Sequence, residues 1–157
     1  MVCDAIKRQL EEWKVGPGDL AICGGARGAD ILFAEGCRQR GAYVRLFIAL
    51  PEEEFLARFV RLPDSNWVKR FYDLIDHSET AFQDERLGEP PEGISPFVRN
   101  NLWIINTART EAPRGELYAL LVWDKKESGD GPDGTAHFGE QAGKLGGDVK
   151  IIDPTAL

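Results

Sequence analysis

A glycine-rich stretch with one arginine and one aspartate has the composition of a ligand-binding loop. Residues 24–30 read GGARGAD and directly follow the apolar run Leu20–Cys23. Glycine takes positive φ angles and lets another group approach the backbone closely. A helix that starts after such a turn offers unpaired N–H groups to an anion, and arginine adds a fork of donors that suits phosphate. We therefore predict an anion-binding loop whose candidate contacts are Gly24, Gly25, Ala26, Arg27, Gly28 and Asp30.

A second loop of similar composition follows the most apolar strand candidate, residues 117–123. Residues 129–137 read GDGPDGTAH, so glycines again precede a helical pattern that starts at Thr135. In open parallel sheets ligands bind beyond the carboxyl ends of the strands. Two such loops at one edge predict a crevice for a nucleotide or a sugar phosphate, with a second set of candidate contacts: Asp124, Gly134, Thr135 and His137.

Other ligand-binding motifs do not fit the chain. A G-x-G-x-x-G fingerprint laid on Gly25 and Gly28 needs glycine where Cys23 stands, and G-x-x-x-x-G-K-[ST] does not occur. The two histidines and three cysteines lack metal-ligand spacing, so we expect no metal, no cofactor and no disulfide framework. A net charge of −7 argues against nucleic acid as a partner. The chain has neither a membrane-length apolar run nor a signal-peptide pattern, which predicts a cytoplasmic protein without membrane association.

Alternating strand and helix patterns position these loops and predict an α/β fold in one domain, residues 1–157. The predicted strands are residues 20–23, 43–50, 79–82, 117–123 and 148–152. The predicted helices are residues 2–14, 29–41, 51–62, a helix over 67–75 capped by Ser65, 99–108 and 135–147. Residues 84–96 are expected to form a surface loop, and Leu102, Ile104 and Ile105 are expected to face inward. Strands that alternate with helices favour a mostly parallel, Rossmann-like sheet with helices on both faces.

Three motifs in this order resemble the SLOG superfamily over residues 20–153. They are GGARGAD at 24–30 with GAYV at 41–44, RNN at 99–101, and GTAH at 134–137. The superfamily includes the lonely-guy phosphoribohydrolases, the DNA-processing protein A fold and nucleotide-ligand sensors of bacterial conflict systems. The resemblance implies a nucleotide-like small molecule as ligand, and it adds Arg99 and Asn100 to the candidate contacts. Arg58 and Arg61 are further candidates because an exposed guanidinium can bind an anion.

The chain departs from the phosphoribohydrolases at the catalytic position. Their motif P-G-G-x-G-T-x-x-E, laid on Gly134 and Thr135, puts Phe138 where the catalytic glutamate belongs. Glu140 lies two residues further, roughly 200° around a helix. The resemblance therefore favours a sensor domain over an enzyme. Two alternatives stay open: a phosphoribohydrolase that uses Asp30, Asp124 or Asp133 instead, and an oligomerising scaffold with a vestigial site.

The chain also lacks the first strand that this family normally carries. That strand would lie between the strand at 20–23 and the strand at 117–123, so these two are expected not to pair with each other. Unpaired edges are costly in a core. We expect them to be closed by a rearrangement, by a second chain in a homo-oligomer or by an upstream segment, of which the upstream segment is favoured.

Overall fold

The structure, a computed structural model, describes residues 1–112, 116–125 and 134–157 and has α/β architecture. The strands are β1 (Leu20–Cys23), β2 (Tyr43–Ile48), β3 (Glu79–Phe82), β4 (Tyr118–Val122) and β5 (Asp148–Ile152). The helices are α1 (Val2–Glu12), α2 (Ala29–Gln39), α3 (Glu52–Phe55), α4 (Trp67–Asp76), α5 (Gln83–Leu87), α6 (Pro96–Glu111) and α7 (Thr135–Lys144). A π-helical turn, Leu56–Val60, continues α3, and a 3₁₀ turn covers Pro154–Ala156. The predicted fold class and the five predicted strands are confirmed.

The strands form two parallel sheets. In the first, β2 lies between β1 and β3, with Leu20 opposite Tyr43 and Ile48 opposite Phe82. In the second, β4 pairs with β5 along its whole length. As expected, β1 and β4 are not hydrogen-bonded neighbours, because they belong to different sheets.

Two helices join the sheets from opposite sides. Next to α1, the indole of Trp13 donates to the Asp148 carboxylate at 3.2 Å and lies 5.2 Å from the Tyr118 ring. On the other side, Ile104 of α6 packs with Phe47 and with Ile22 of β1. Since successive side chains of a strand point to opposite faces, the first sheet carries helices on both faces. One hydrophobic core spans α1, α2, α4 and the first sheet, and it also receives side chains from β4 and β5: Leu120, Val122 and Ile152.

Four local expectations were wrong. Residues 84–87, expected to lie in a surface loop, belong to helix α5, Gln83–Leu87. Helix α6 begins at Pro96, not at Arg99, because the Ser95 hydroxyl accepts hydrogen bonds from the amides of Phe97 and Val98. Ser65 does not cap α4, since its hydroxyl donates to the carbonyl of Leu62 instead.

The fourth concerns the inward face of α6. Leu102 is exposed, whereas Ile104 and Ile105 are buried as expected. Because α6 begins before residue 99, residues 99–101 lie inside the helix. Consecutive helical residues point in directions about 100° apart, so these three side chains face different neighbours.

Candidate functional site

The glycine loop, residues 24–28, has a backbone that only glycine accommodates easily at two positions. Gly25 and Gly28 have φ angles of 78° and 88°. A Cβ atom at Gly25 would lie 2.9 Å from Cδ1 of Ile48, so the loop rests directly on the end of β2. Gly28 precedes α2, which begins without a side-chain cap. The positive dipole end of α2 lies at this loop, and the first turn of the helix carries one acid, Asp30.

Asp30 holds the glycine loop from within. Its Oδ2 accepts the amide of Ala26 at 3.1 Å, and the Cys23 thiol donates to its carbonyl at 3.5 Å. Although part of the residue reaches solvent, burial of the carboxyl group raises the pKa of Asp30, and the hydrogen bond from Ala26 opposes that shift only partly. Burial also raises the pKa of the Cys23 thiol, which keeps it protonated and unreactive. The geometry makes Asp30 a support of the loop.

Arg27 connects the glycine loop to the π turn. Its amide donates to the carbonyl of Phe59 at 2.8 Å, and its Nη1 donates to the carbonyl of Arg61 at 3.0 Å. The side chain is exposed, so its remaining guanidinium donors can reach an anion without burial of a charge. The π turn therefore forms one wall of the loop, a neighbour that no sequence pattern indicated.

Residues 99–101 of α6 bind three different segments. Arg99 donates to the carbonyl of Gly88 at 2.8 Å. Asn100, only 5% exposed, donates to the carbonyl of Phe47 at 3.0 Å and accepts from Nε2 of Gln83 at 3.2 Å. Because its amide is engaged on both sides, Asn100 is a positioning residue at the carboxyl end of β2.

The start of α7 meets the same helix. Nδ2 of Asn101 donates to the carbonyl of Gly134 at 3.4 Å and lies 3.1 Å from Nδ1 of His137. Gly134 directly precedes α7. Thr135 is its first residue, and Asp124, two residues beyond β4, is half-buried. Asp133 and the rest of the second loop, residues 126–133, lie outside the described residues.

Helix α6 thus contacts both predicted halves of the site, although the two loops follow strands of different sheets. A Cβ atom at Gly24 would lie 3.9 Å from the carbonyl oxygen of Phe47, which is the acceptor of Asn100. The next residue, Asn101, contacts Gly134. Sequence analysis missed Asn101 and Gln83 as ties of the site. Asn101 stood inside the RNN motif, whereas the sequence carries no signal for Gln83.

Glu140 is not oriented by the site. Its carboxylate forms an ion pair with Lys144, one turn along α7, at 3.3 Å, and its side chain is 65% exposed. The position that the phosphoribohydrolase motif reserves for glutamate holds Phe138, whose ring packs against both hydrophobic clusters on the α6 side of the sheets.

Two cavities lie away from the glycine loop. A cavity of about 550 Å³ opens at the amino ends of β1 and β2, where Arg45 forms ion pairs with Glu79 and Glu111. A groove of about 630 Å³ runs between α2 and α4. In open parallel sheets the ligand edge is the carboxyl edge, so we do not assign the proposed ligand to either cavity.

Comparisons with protein families, with curated proteins and with solved structures found no match to this chain. Among the described residues no helix is long and apolar enough to cross a membrane, and no group of three His, Cys, Asp or Glu side chains is arranged to hold a metal ion.

Proposed function

We propose that this protein binds a nucleotide or a nucleotide-derived phosphate at the carboxyl edge of β1 and β2, as a sensor domain in a bacterial signalling or conflict system. One observation carries the proposal. Adjacent residues of α6, Asn100 and Asn101, tie the end of β2 beside the glycine loop to the start of α7. Helices α2 and α7, which each begin after a glycine, are thereby linked through α6.

The electrostatics of the crevice favour an anion although the whole chain is acidic. Helix α2 has 11 residues and α7 has 10, long enough for a positive dipole end at each start. Arg27 adds an exposed guanidinium beside the first of them. The net charge of −7 does not by itself oppose an anion here, because charges on the far surface are screened within about 10 Å.

The positions of the acidic side chains support binding without hydrolysis. Cleavage of an N-glycosidic bond needs a carboxylate that steadies the developing sugar cation or activates water. Glu140 is paired on the helix surface, and Asp30 is engaged within its own loop. Incubation with nucleoside monophosphates is expected to release no free base by chromatography. Base release that is lost in Asp30→Asn or Asp124→Asn would establish the phosphoribohydrolase alternative.

The direct test is mass spectrometry of small molecules released from the purified protein by denaturation. We expect a phosphate-bearing, nucleotide-like compound at a molar ratio approaching one, and calorimetry with that compound should then give saturable binding. A protein that releases no such compound and binds none of the common nucleoside mono- and diphosphates would support the scaffold with a vestigial site instead.

A further inference from the structure

We infer that the rings of Phe59 and Phe97 form a stacking subsite for the base, so that the ligand is a nucleoside phosphate and not a sugar phosphate. This assignment rests on the proposed function, because it concerns the part of the ligand that the glycine loop does not hold. It starts from an aromatic cluster that lies beside the loop and is only half-buried.

The π turn places Phe59 at the wall of the glycine loop. The Phe59 carbonyl accepts the Arg27 amide at 2.8 Å, and the Arg61 amide donates to the carbonyl of Leu56, which closes the wider turn. A π turn is rare and is frequently found at functional sites. Here the backbone hydrogen bond between Arg27 and Phe59 places Phe59 directly beside the predicted phosphate loop.

The second ring comes from the first turn of α6. The ring centroids of Phe59 and Phe97 are 5.5 Å apart with an interplanar angle of 68°, an edge-to-face pair. Such a pair covers the face of only one ring. Phe55 supports Phe59 from the core at a centroid distance of 5.5 Å and is itself buried. Phe59 and Phe97, in contrast, are half-buried and pack at the margin of the main core cluster.

An arginine completes the cluster. The Arg58 guanidinium lies 5.1 Å from the Phe59 centroid and 5.9 Å from the Phe97 centroid. Its ion pair with Glu54 is half-exposed, and such surface pairs are worth little, so the arginine can move at small cost. Nucleic-acid bases stack on aromatic rings and on guanidinium planes. A sugar phosphate has no aromatic ring to stack on this cluster.

Calorimetry with adenosine 5′-monophosphate and ribose 5-phosphate tests the subsite. The wild-type protein is expected to bind the nucleotide more tightly, and Phe59→Leu and Phe97→Leu should each reduce that preference about 5- to 150-fold, the range expected for loss of one base-stacking contact. Their affinity for ribose 5-phosphate should not change. Tyr118→Leu is the matched control, since it removes a half-exposed ring that pairs with Trp13 away from the loop.

Each other outcome contradicts a different part of the proposal. If the wild type binds both probes with equal affinity, the base subsite is wrong and the phosphate site is still supported. If a folded leucine variant loses affinity for both probes, the ring supports the glycine loop and does not stack on the base. If the wild type binds neither probe nor any other common nucleoside mono- or diphosphate, the proposed function itself is wrong. If the variants fail to fold, 2-aminopurine riboside 5′-monophosphate serves with the wild type: bound but unquenched fluorescence would exclude stacking.

Discussion

At the scale of single residues, one side chain holds the glycine loop from within while another faces solvent. Asp30 accepts the Ala26 amide inside the loop. Arg27, exposed at the rim, binds two carbonyl groups of the wall and still has donors free for an anion. The two charges therefore have separable roles, which substitution can measure.

Arg27→Ala is expected to weaken binding of a phosphate-bearing ligand about 10- to 100-fold, since a hydrogen bond to a charged group is worth about 1.5–3 kcal/mol. The melting temperature should change little because the side chain is exposed. Calorimetry and thermal unfolding measure the two quantities. Arg38→Ala, an exposed arginine at the other end of α2, is the matched control. Equal affinities for Arg27→Ala and the wild type would exclude Arg27 as a contact.

Asp30→Asn is expected to change how stability depends on pH. Burial raises the native pKa of Asp30 above its ordinary value, so the native state binds this proton at a higher pH than the unfolded state does. The free energy of unfolding should therefore fall as pH rises through the window between the ordinary and the raised pKa. The asparagine variant keeps an acceptor for Ala26, should lose this slope and should be at least as stable at pH 7.

Urea unfolding between pH 4 and pH 8 measures the effect. Asp76→Asn, an exposed aspartate at the end of α4, is the control and should keep the wild-type slope. A slope that persists in Asp30→Asn would mean that another group is responsible.

At the scale of elements, α6 is the helix that organises the site. It has contacts with the β5-linked helix α7 and with both β1 and β2. Its three consecutive residues, 99–101, bind the segment at Gly88, the end of β2 and the start of α7. Since a helix is stiff, a change at one of these ties affects the others through the position of α6.

Asn100→Ala is expected to lower the free energy of unfolding by about 1–3 kcal/mol, the cost of a buried polar group left without its partner. Its removal takes the side-chain donor from the Phe47 carbonyl and the Oδ1 acceptor from Gln83. Asn106→Ala, an exposed asparagine on the same helix, controls for helix propensity. Chemical denaturation compares the two variants, and equal losses would show that the buried contacts contribute nothing beyond propensity.

At the scale of the whole molecule, the division of the strands into two sheets is the main structural feature. Tyr43 donates to the Asp19 carbonyl, so by the alternation of a parallel ladder the Ile22 amide points away from β2. Likewise Trp123 donates to the Ile152 carbonyl, so the Leu120 amide points away from β5. In the described residues, β1 and β4 therefore each have backbone groups on their outer edge that pair with no strand. The helices α1 and α6 pack on the faces of the sheets and not along these edges.

Hydrogen exchange measures whether these edges are open in solution. The amides of Ile22 and Leu120 are expected to exchange markedly faster than those of Cys23 and Leu121, which face a neighbouring strand. Light scattering on the same sample reports self-association. Equal protection of all four amides in a monomer would mean that the two sheets have joined, and protection that grows with protein concentration would indicate a strand from a second copy.

The sequence by itself determined the α/β class, the five strands and the glycine loop. These features depend on periodicity and backbone angles within a few neighbouring residues, as the positive φ of Gly25 and Gly28 illustrates. Only the tertiary structure decided that Arg27 meets Arg61, 34 residues away, and that Asn100 meets Phe47, 53 residues away. It also decided that the Asp30 carboxylate accepts an amide of its own loop and that Phe59 lies beside that loop. Such partners depend on how helices pack across a sheet, and no local pattern encodes that packing.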